Sequence, residues 1–202
     1  MMFERLRHKL ARKNLREPEF EFLYDEHPTE MVSLDCETTS LEVPEAEIIS
    51  IGAVKVRGNT ILNSEAFYVV VKPEGMMQAA NVKVHGLRPK DLSDGIPVQE
   101  AIRQLLHFIG GRPLLGYYLE YDVAMVNKFL KPMIGINLPN RQIEVSSLYF
   151  KQEVKKNFYN DYVDLRMASM INKLKIPDLP RHDALNDAIN AAMMYLAIKA
   201  RK

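Results

Sequence analysis

The arrangement of apolar and polar positions changes character about a third of the way along the chain. Met31 to Asp35, Ile48 to Arg57 and Ile61 to Val71 are rich in β-branched residues, and Arg57-Gly58-Asn59-Thr60 carries turn chemistry between the last two. These runs predict three consecutive strands. Beyond Lys72-Pro73-Glu74-Gly75 the period becomes helical, interrupted by short apolar runs. Helices are predicted over 98–109, 119–130, 162–173 and 183–200, with strands over 113–116 and 142–145. A meander leading into alternating strands and helices predicts an α/β fold, a mixed central sheet flanked by helices on both faces. Ahead of it, residues 2–14 suit a basic helix with Phe3, Leu6 and Leu10 on one side, and residues 18–28 read as an acidic, irregular connector. The expected division is therefore 1–30 as an appendage and 31–202 as the functional domain.

Composition narrows the classes. A chain of 202 residues, 47% hydrophobic and 26% charged, can bury one sizeable core. No apolar run approaches the ~18 residues that span a bilayer. The basic start has no apolar stretch behind it, so no secretory signal is expected, and the single cysteine, Cys36, gives no disulfide framework or multi-cysteine zinc site. The expectation is a cytoplasmic protein with no membrane partner. Net charge is only +1, but Arg5, Arg7, Lys9, Arg12, Lys13 and Arg16 precede a stretch from 17 to 47 without Lys or Arg. Basic segments beside an acidic one can guide a phosphate backbone; a solvated helical face explains the same charges.

Three places carry candidate chemistry. In Leu34-Asp35-Cys36-Glu37-Thr38-Thr39, strand alternation puts Ser33, Asp35 and Glu37 on one face and Val32, Leu34 and Cys36 on the other. Carboxylates ~4 Å apart repel by ~4 kcal/mol at an effective dielectric of ~20, so a projecting pair calls for a cation, a shared proton or water. A divalent metal fits, as does a strand ending in ordinary surface acids. In the second, Leu114 to Gly116 leads into a helix with Asp122 in its first turn, where the helix dipole also favours a capping acid. The third, Pro180-Arg181-His182-Asp183-Ala184-Leu185-Asn186-Asp187, puts His182 just outside a helix and Asp187 one turn in, among Ala184, Ala188 and Ala191, whose small side chains allow close packing.

Order and context join the three. D-x-E-T on a strand, then Gly116 and Tyr121-Asp122, then H-x-A-x-x-D opening a final helix, resembles the DEDD exonuclease superfamily in its histidine-containing branch. The pattern is most similar to the proofreading epsilon subunits of bacterial DNA polymerase III, from about Met31 to Ala200. His85-Gly86-Leu87 also resembles a segment of that family. The resemblance implies a ribonuclease H-like exonuclease fold that removes nucleoside monophosphates from a nucleic-acid 3' end, with single-stranded DNA favoured. It implies two Mg2+ or Mn2+ ions held by Asp35, Glu37, Asp122 and Asp187, with His182 as general base, an imidazole being suited to that role near neutrality. Thr38, Thr39, Leu41, His85 and Tyr118 are the implied substrate contacts.

Tyr117-Tyr118 stands where epsilon-like proteins usually have His-Asn, and Ser40 replaces a glycine-like residue; the tyrosines suit either core packing or base stacking. Glu144 is assigned no catalytic role. The chain ends shortly after the last predicted helix, without a polymerase-attachment tail, so a stand-alone enzyme is expected. Gln104-Leu105-Leu106-His107-Phe108 loosely resembles a clamp-binding peptide, but its place on an amphipathic helix favours core packing. An RNA-trimming enzyme and a catalytically silent binding module are the alternative readings.

Overall fold

The computed structural model describes residues 12–75, 89–156 and 162–201. The basic helix expected over 2–14, with Phe3, Leu6 and Leu10, lies almost wholly outside these residues, as does the His85 segment.

The strands are β1 (Glu30–Thr38), β2 (Ile48–Arg57), β3 (Thr60–Ile61), β4 (Phe67–Val70), β5 (Leu114–Gly116) and β6 (Gln142–Glu144). The helices are α1 (Pro89–Ser93), α2 (Val98–Ile109), α3 (Leu119–Ile134), α4 (Val145–Lys156), α5 (Met167–Leu174) and α6 (Ala184–Ala200). The sheet order is β3-β2-β1-β5-β6, with β4 also on β2. Strand β1 is antiparallel to β2 and parallel to β5, and β5 is parallel to β6, giving the expected mixed sheet.

The alternation along β1 sorts the two faces. Val32, Leu34 and Cys36 join the core formed with α2 and α3, through Ile102, Leu105, Val126 and Leu130. On the opposite face, Val54 and Val56 of β2 pack with Met170 and Ile171 of α5 and Ala191, Met194 and Ile198 of α6. Burial on both faces leaves β2 nearly continuous in apolar residues, as a sheet covered on two sides requires, whereas β1 interrupts its apolar positions with Ser33, Asp35 and Glu37.

Several expectations are corrected. The run from Ile61 to Val71 is broken by a 3-10 turn, Asn63–Glu65, because Asn63 and Ser64 favour a turn over a ladder. Helix α3 runs past Leu130 through Pro132 to Ile134, a proline in the last turn forfeiting little before Gly135 caps the end. The helix expected from 162 begins only at Met167. Asp164 accepts the Arg166 N–H at 3.0 Å and the Ser169 hydroxyl at 2.7 Å, holding the chain in a turn just ahead of it. Helices α1 and α4 were not expected. The acidic connector is irregular only over 25–28: Pro18–Tyr24 forms a 3-10 helix whose Phe20 and Leu23 are buried in the α2–α3 core.

Candidate active site

The three sequence segments converge at the C-terminal end of β1. Asp35 and Glu37 project there from the face that α6 covers. Helix α3 begins immediately after β5 and places Asp122, only 3% exposed, in its first turn, where Asp122 Oδ1 accepts the Cys36 N–H at 2.9 Å. That bond ties α3 to the middle of the D-C-E segment. Glu144, at the end of β6, accepts the Leu119 N–H at 2.9 Å and the Ser146 N–H at 3.0 Å, so its carboxylate caps the starts of both α3 and α4. This is a positioning role that the sequence reading left unassigned.

Helix α6 opens with Asp183 as N-cap, its Oδ1 accepting the Asn186 N–H at 2.9 Å. His182 precedes it in the left-handed conformation at φ 65°, and its N–H donates to Asp187 Oδ2 at 2.9 Å. Asn190, fully buried, donates to the other Asp187 oxygen at 3.5 Å. Glu37, His182 and Asp187 each offer a ligand atom within 4.8 Å of the other two, close enough to hold a metal ion.

Together these groups line one open cavity of about 720 Å³, shared by Asp35, Glu37, Thr38, Thr39, Leu41, Tyr117, Tyr118, Tyr121, Asp122, His182 and Asp187. Of the expected site residues, only His85 is not among them, lying outside the described residues. Leu41 and Tyr118 rise from the rim, 83% and 58% exposed, and Tyr118 holds a left-handed backbone at φ 57°. Its neighbour Tyr117 turns inward, donating from its hydroxyl to the Leu165 carbonyl at 2.9 Å, and its ring meets the exposed Tyr118 ring edge-on with centroids 4.7 Å apart.

The loop bearing Leu41 is fixed from below. Lys128 Nζ donates to the carbonyls of Val43, Pro44 and Ala46 at 3.1, 3.0 and 2.7 Å, and Thr39 Oγ1 accepts the Glu47 N–H at 2.9 Å. The Tyr121 hydroxyl meets Thr38 Oγ1 at 2.7 Å and donates to the Ser40 carbonyl. Nothing in the sequence signals the Lys128 and Tyr121 contacts, which join residues more than 80 positions apart.

The electrostatics are one-sided. Burial raises Asp35 well above the usual carboxylate range, and the charges of Asp122, Asp187, Glu37 and Asp183 raise it further. Glu37 is pushed up to about 7 by burial and by Asp187 and Asp183. Asp122 is raised by burial against the pull of the Cys36 N–H, and Asp187 by burial against the His182 N–H. Asp183 thus acts on the site as a further acid, one that its adjacency to His182 could have flagged. Among the described residues, no Lys or Arg is ion-paired with Asp35, Glu37, Asp122 or Asp187. A set of hard oxygen donors with raised pKa and no compensating cation fits divalent metal binding.

Comparisons with known proteins bear on the fold and the family. The chain is 28% identical over 179 residues to the DNA polymerase III epsilon subunit of Pasteurella multocida, covering 85% of this chain and 68% of that one. It is 26% identical over 165 residues to the PolC-type DNA polymerase III of Thermotoga maritima, covering 82% of this chain but only 11% of that much longer protein. Among solved structures, cell-death related nuclease 4 superposes with a TM-score of 0.71 at 14% identity, over 87% of this chain and 65% of that one. The zinc-bound E. coli exonuclease I–ssDNA complex does so with a TM-score of 0.73 at 13% identity, over 87% and 41%. These distant likenesses show the ribonuclease H-like exonuclease fold. The family match itself runs from residue 32 to 195, from the core of β1 into the last turns of α6, and on that extent the chain belongs to the RNase_T exonuclease family.

Proposed function

We propose that this chain is a metal-dependent 3'-5' exonuclease of the histidine-containing branch, releasing nucleoside monophosphates from single-stranded DNA ends. The observation that carries the reading is the meeting of Asp35, Glu37, Asp122 and Asp187 in one cavity, with no Lys or Arg paired to them among the described residues and with His182 at its edge.

Asp35, Glu37, Asp122 and Asp187 would hold two Mg2+ or Mn2+ ions. When bound, such ions supply positive charge that favours ionisation of the attacking water and neutralises the leaving 3' oxygen. The protein supplies position. Helix α3 brings Asp122 and helix α6 brings Asp187 to the strand that carries Asp35 and Glu37. His182, exposed and held by its own backbone bond to Asp187, takes the proton from the attacking water. Thr38 and Thr39 line the floor where a terminal nucleotide would sit, and Leu41 and Tyr118 offer apolar and aromatic surface to unstacked bases. Such surface favours a single strand over a paired end. The presence of exonuclease I oligonucleotide complexes among the fold's structural neighbours supports the same substrate class.

The test is a degradation ladder on 5'-labelled single-stranded DNA, duplex DNA and RNA, with and without Mn2+. Stepwise shortening of single-stranded DNA only with metal is expected; preferential loss of RNA would move the substrate, and no shortening of any strand would end the proposal. His182→Ala should lower the rate ~10²–10⁴-fold, the range of a positioned acid–base group, while keeping the Mn2+-induced rise in melting temperature. Because the imidazole lies within ligand distance of Glu37 and Asp187, loss of that rise would reassign His182 from base to ligand.

A further inference from the structure

The four carboxylates come from three separate elements, so something must set how closely α6 approaches β1. The register shows what does. On the face that α6 covers, Asp35 of β1 stands opposite Gly52 of β2, and Gly52 stands opposite Tyr68 of β4. The Asp35 carboxylate and the Tyr68 ring thus flank a position with no side chain. The first turn of α6 fills that gap: a Cβ at position 52 would fall well inside van der Waals contact with Leu185 N and with Ala184 C and O. All three are backbone atoms of the turn between His182 and Asp187, and no side-chain rotation could relieve the clash. Gly52 has no left-handed φ to explain it, so close approach is the physical reason for glycine here.

We infer that Gly52 is a positioning residue for the metal site, the seat that fixes the span between Asp35 and Glu37 on the strand and Asp187 on the helix. The inference rests on the metal-dependent reading above. It goes beyond it by assigning cation affinity to a residue with no ligand atom. A methyl group at position 52 lifts the start of α6 and carries His182 and Asp187 with it. The Leu41 loop is anchored separately through Lys128 and Tyr121, so the strand-binding side of the cavity stays in place. Gly52→Ala should therefore weaken metal binding and leave oligonucleotide binding alone.

The experiment compares wild type, Gly52→Ala and Leu130→Ala, the last a core truncation on the opposite face of the sheet that lowers stability without touching α6. The readouts are the Mn2+ concentration giving half the maximal rise in melting temperature, and KM and kcat on a single-stranded oligonucleotide at saturating Mn2+. For Gly52→Ala the Mn2+ midpoint should rise ~10–100-fold, as when a metal ligand loses its support, with KM unchanged and lost rate partly recovered by added Mn2+. Leu130→Ala should lower the melting temperature and keep the wild-type midpoint. If Gly52→Ala does not fold, Ala188→Val, adding bulk at a fully buried position on the next turn of α6, is measured in its place with the same expectation. A folded variant with the wild-type Mn2+ midpoint, or an equal shift in Leu130→Ala, overturns the positioning role. Absence of any Mn2+ response in the wild type overturns the metal reading itself.

Discussion

Strand β1 carries buried acid at both ends, and the two ends are held in opposite ways. At its start Glu30 is 5% exposed, and burial alone would raise its carboxyl. Hydrogen bonds from Arg112 Nε and Arg57 Nε, each at 2.7 Å, and the charge of both guanidinium groups outweigh that burial and hold it at about 2. At the other end burial is the first cause that raises Asp35 and Glu37, and among the described residues no Lys or Arg is paired with either. The Cys36 N–H serves Asp122, the His182 N–H serves Asp187, and the charges acting on Asp35 are those of further acids. One end is a closed ion-pair network; the other is left short of positive charge. Burial sets the demand at both, and whether the fold meets it separates structural acid from functional acid.

The largest effect should come from neutralising one acid at each end. Asp35→Asn preserves volume and removes charge from the metal cage, so exonuclease activity should fall at least ~10²–10³-fold, the loss typical when an electrostatic element of a transition-state clamp is removed. The metal-free protein should stay folded and gain stability, because repulsion among the acids is relieved. Glu30→Gln should do the reverse, leaving activity near wild type and costing about 3 kcal/mol, since it leaves the largely buried Arg112 guanidinium without its charge partner. Activity assays and denaturant melts on both variants check this crossover. Comparable activity loss in both would mean that the two ends do not differ in role.

The pH dependence sharpens the contrast, because the two carboxyls move in opposite directions. Glu30 titrates at about 2 in the folded protein against 4.5 when unfolded, so its stabilisation is complete above 4.5 and is lost as pH falls toward 2. Glu37 titrates at about 7 folded against 4.5 unfolded, so between these values the native protein holds a proton that the unfolded chain has released. Metal-free stability should therefore fall as pH rises from about 4.5 to about 7, with Glu37 contributing roughly 2 kcal/mol. Asp35, Asp122 and Asp187, also raised, act in the same direction. Denaturant titrations in chelator should show Glu37→Gln flattening the neutral limb and Glu30→Gln the acidic one. An unchanged neutral limb in Glu37→Gln would show that the acids at this end are not destabilised by their surroundings.

The same contrast explains what the sequence revealed. Period-two alternation separated Asp35 and Glu37 from Val32, Leu34 and Cys36, and helix-start chemistry around Pro180 and Asp183 placed Asp187 one turn into α6. Those are local signals that locate the acids, and only their order along the chain and the family resemblance join them into one candidate site. Helix α4 escaped because its apolar residues do not form one stripe: Val145 and Tyr149 are buried while Phe150 and Val154 are exposed. The 3-10 helix at Pro18–Tyr24 escaped because Phe20 and Leu23 stand among acids that mask their burial. Gly52, Lys128, Glu144 and Tyr121 act across long separations, through backbone contacts that no single-sequence pattern encodes.

Tyr121 provides the finest test of the comparison, because it does with a neutral hydroxyl what Arg57 and Arg112 do with charge at the other end of β1. Its hydroxyl joins Thr38 Oγ1, the last residue of the strand, to the Ser40 carbonyl, and so fixes the bend from which Leu41 projects. A guanidinium in that position would pair with the nearby acids and compete with metal; a phenol orders the loop without supplying charge. Tyr121→Phe deletes only the hydroxyl and should cost about 1 kcal/mol of stability, the usual net value of one hydrogen bond. Because the lost contact orders the rim and not the metal cage, KM for a single-stranded oligonucleotide should rise a few-fold, roughly what 1 kcal/mol of loop ordering is worth. kcat and the Mn2+ midpoint should hold. Steady-state kinetics with Mn2+ titrations by thermal shift separate these quantities. A fall in kcat at constant KM would place Tyr121 with the reacting groups and show that the neutral contacts at this end of β1 support the chemistry directly.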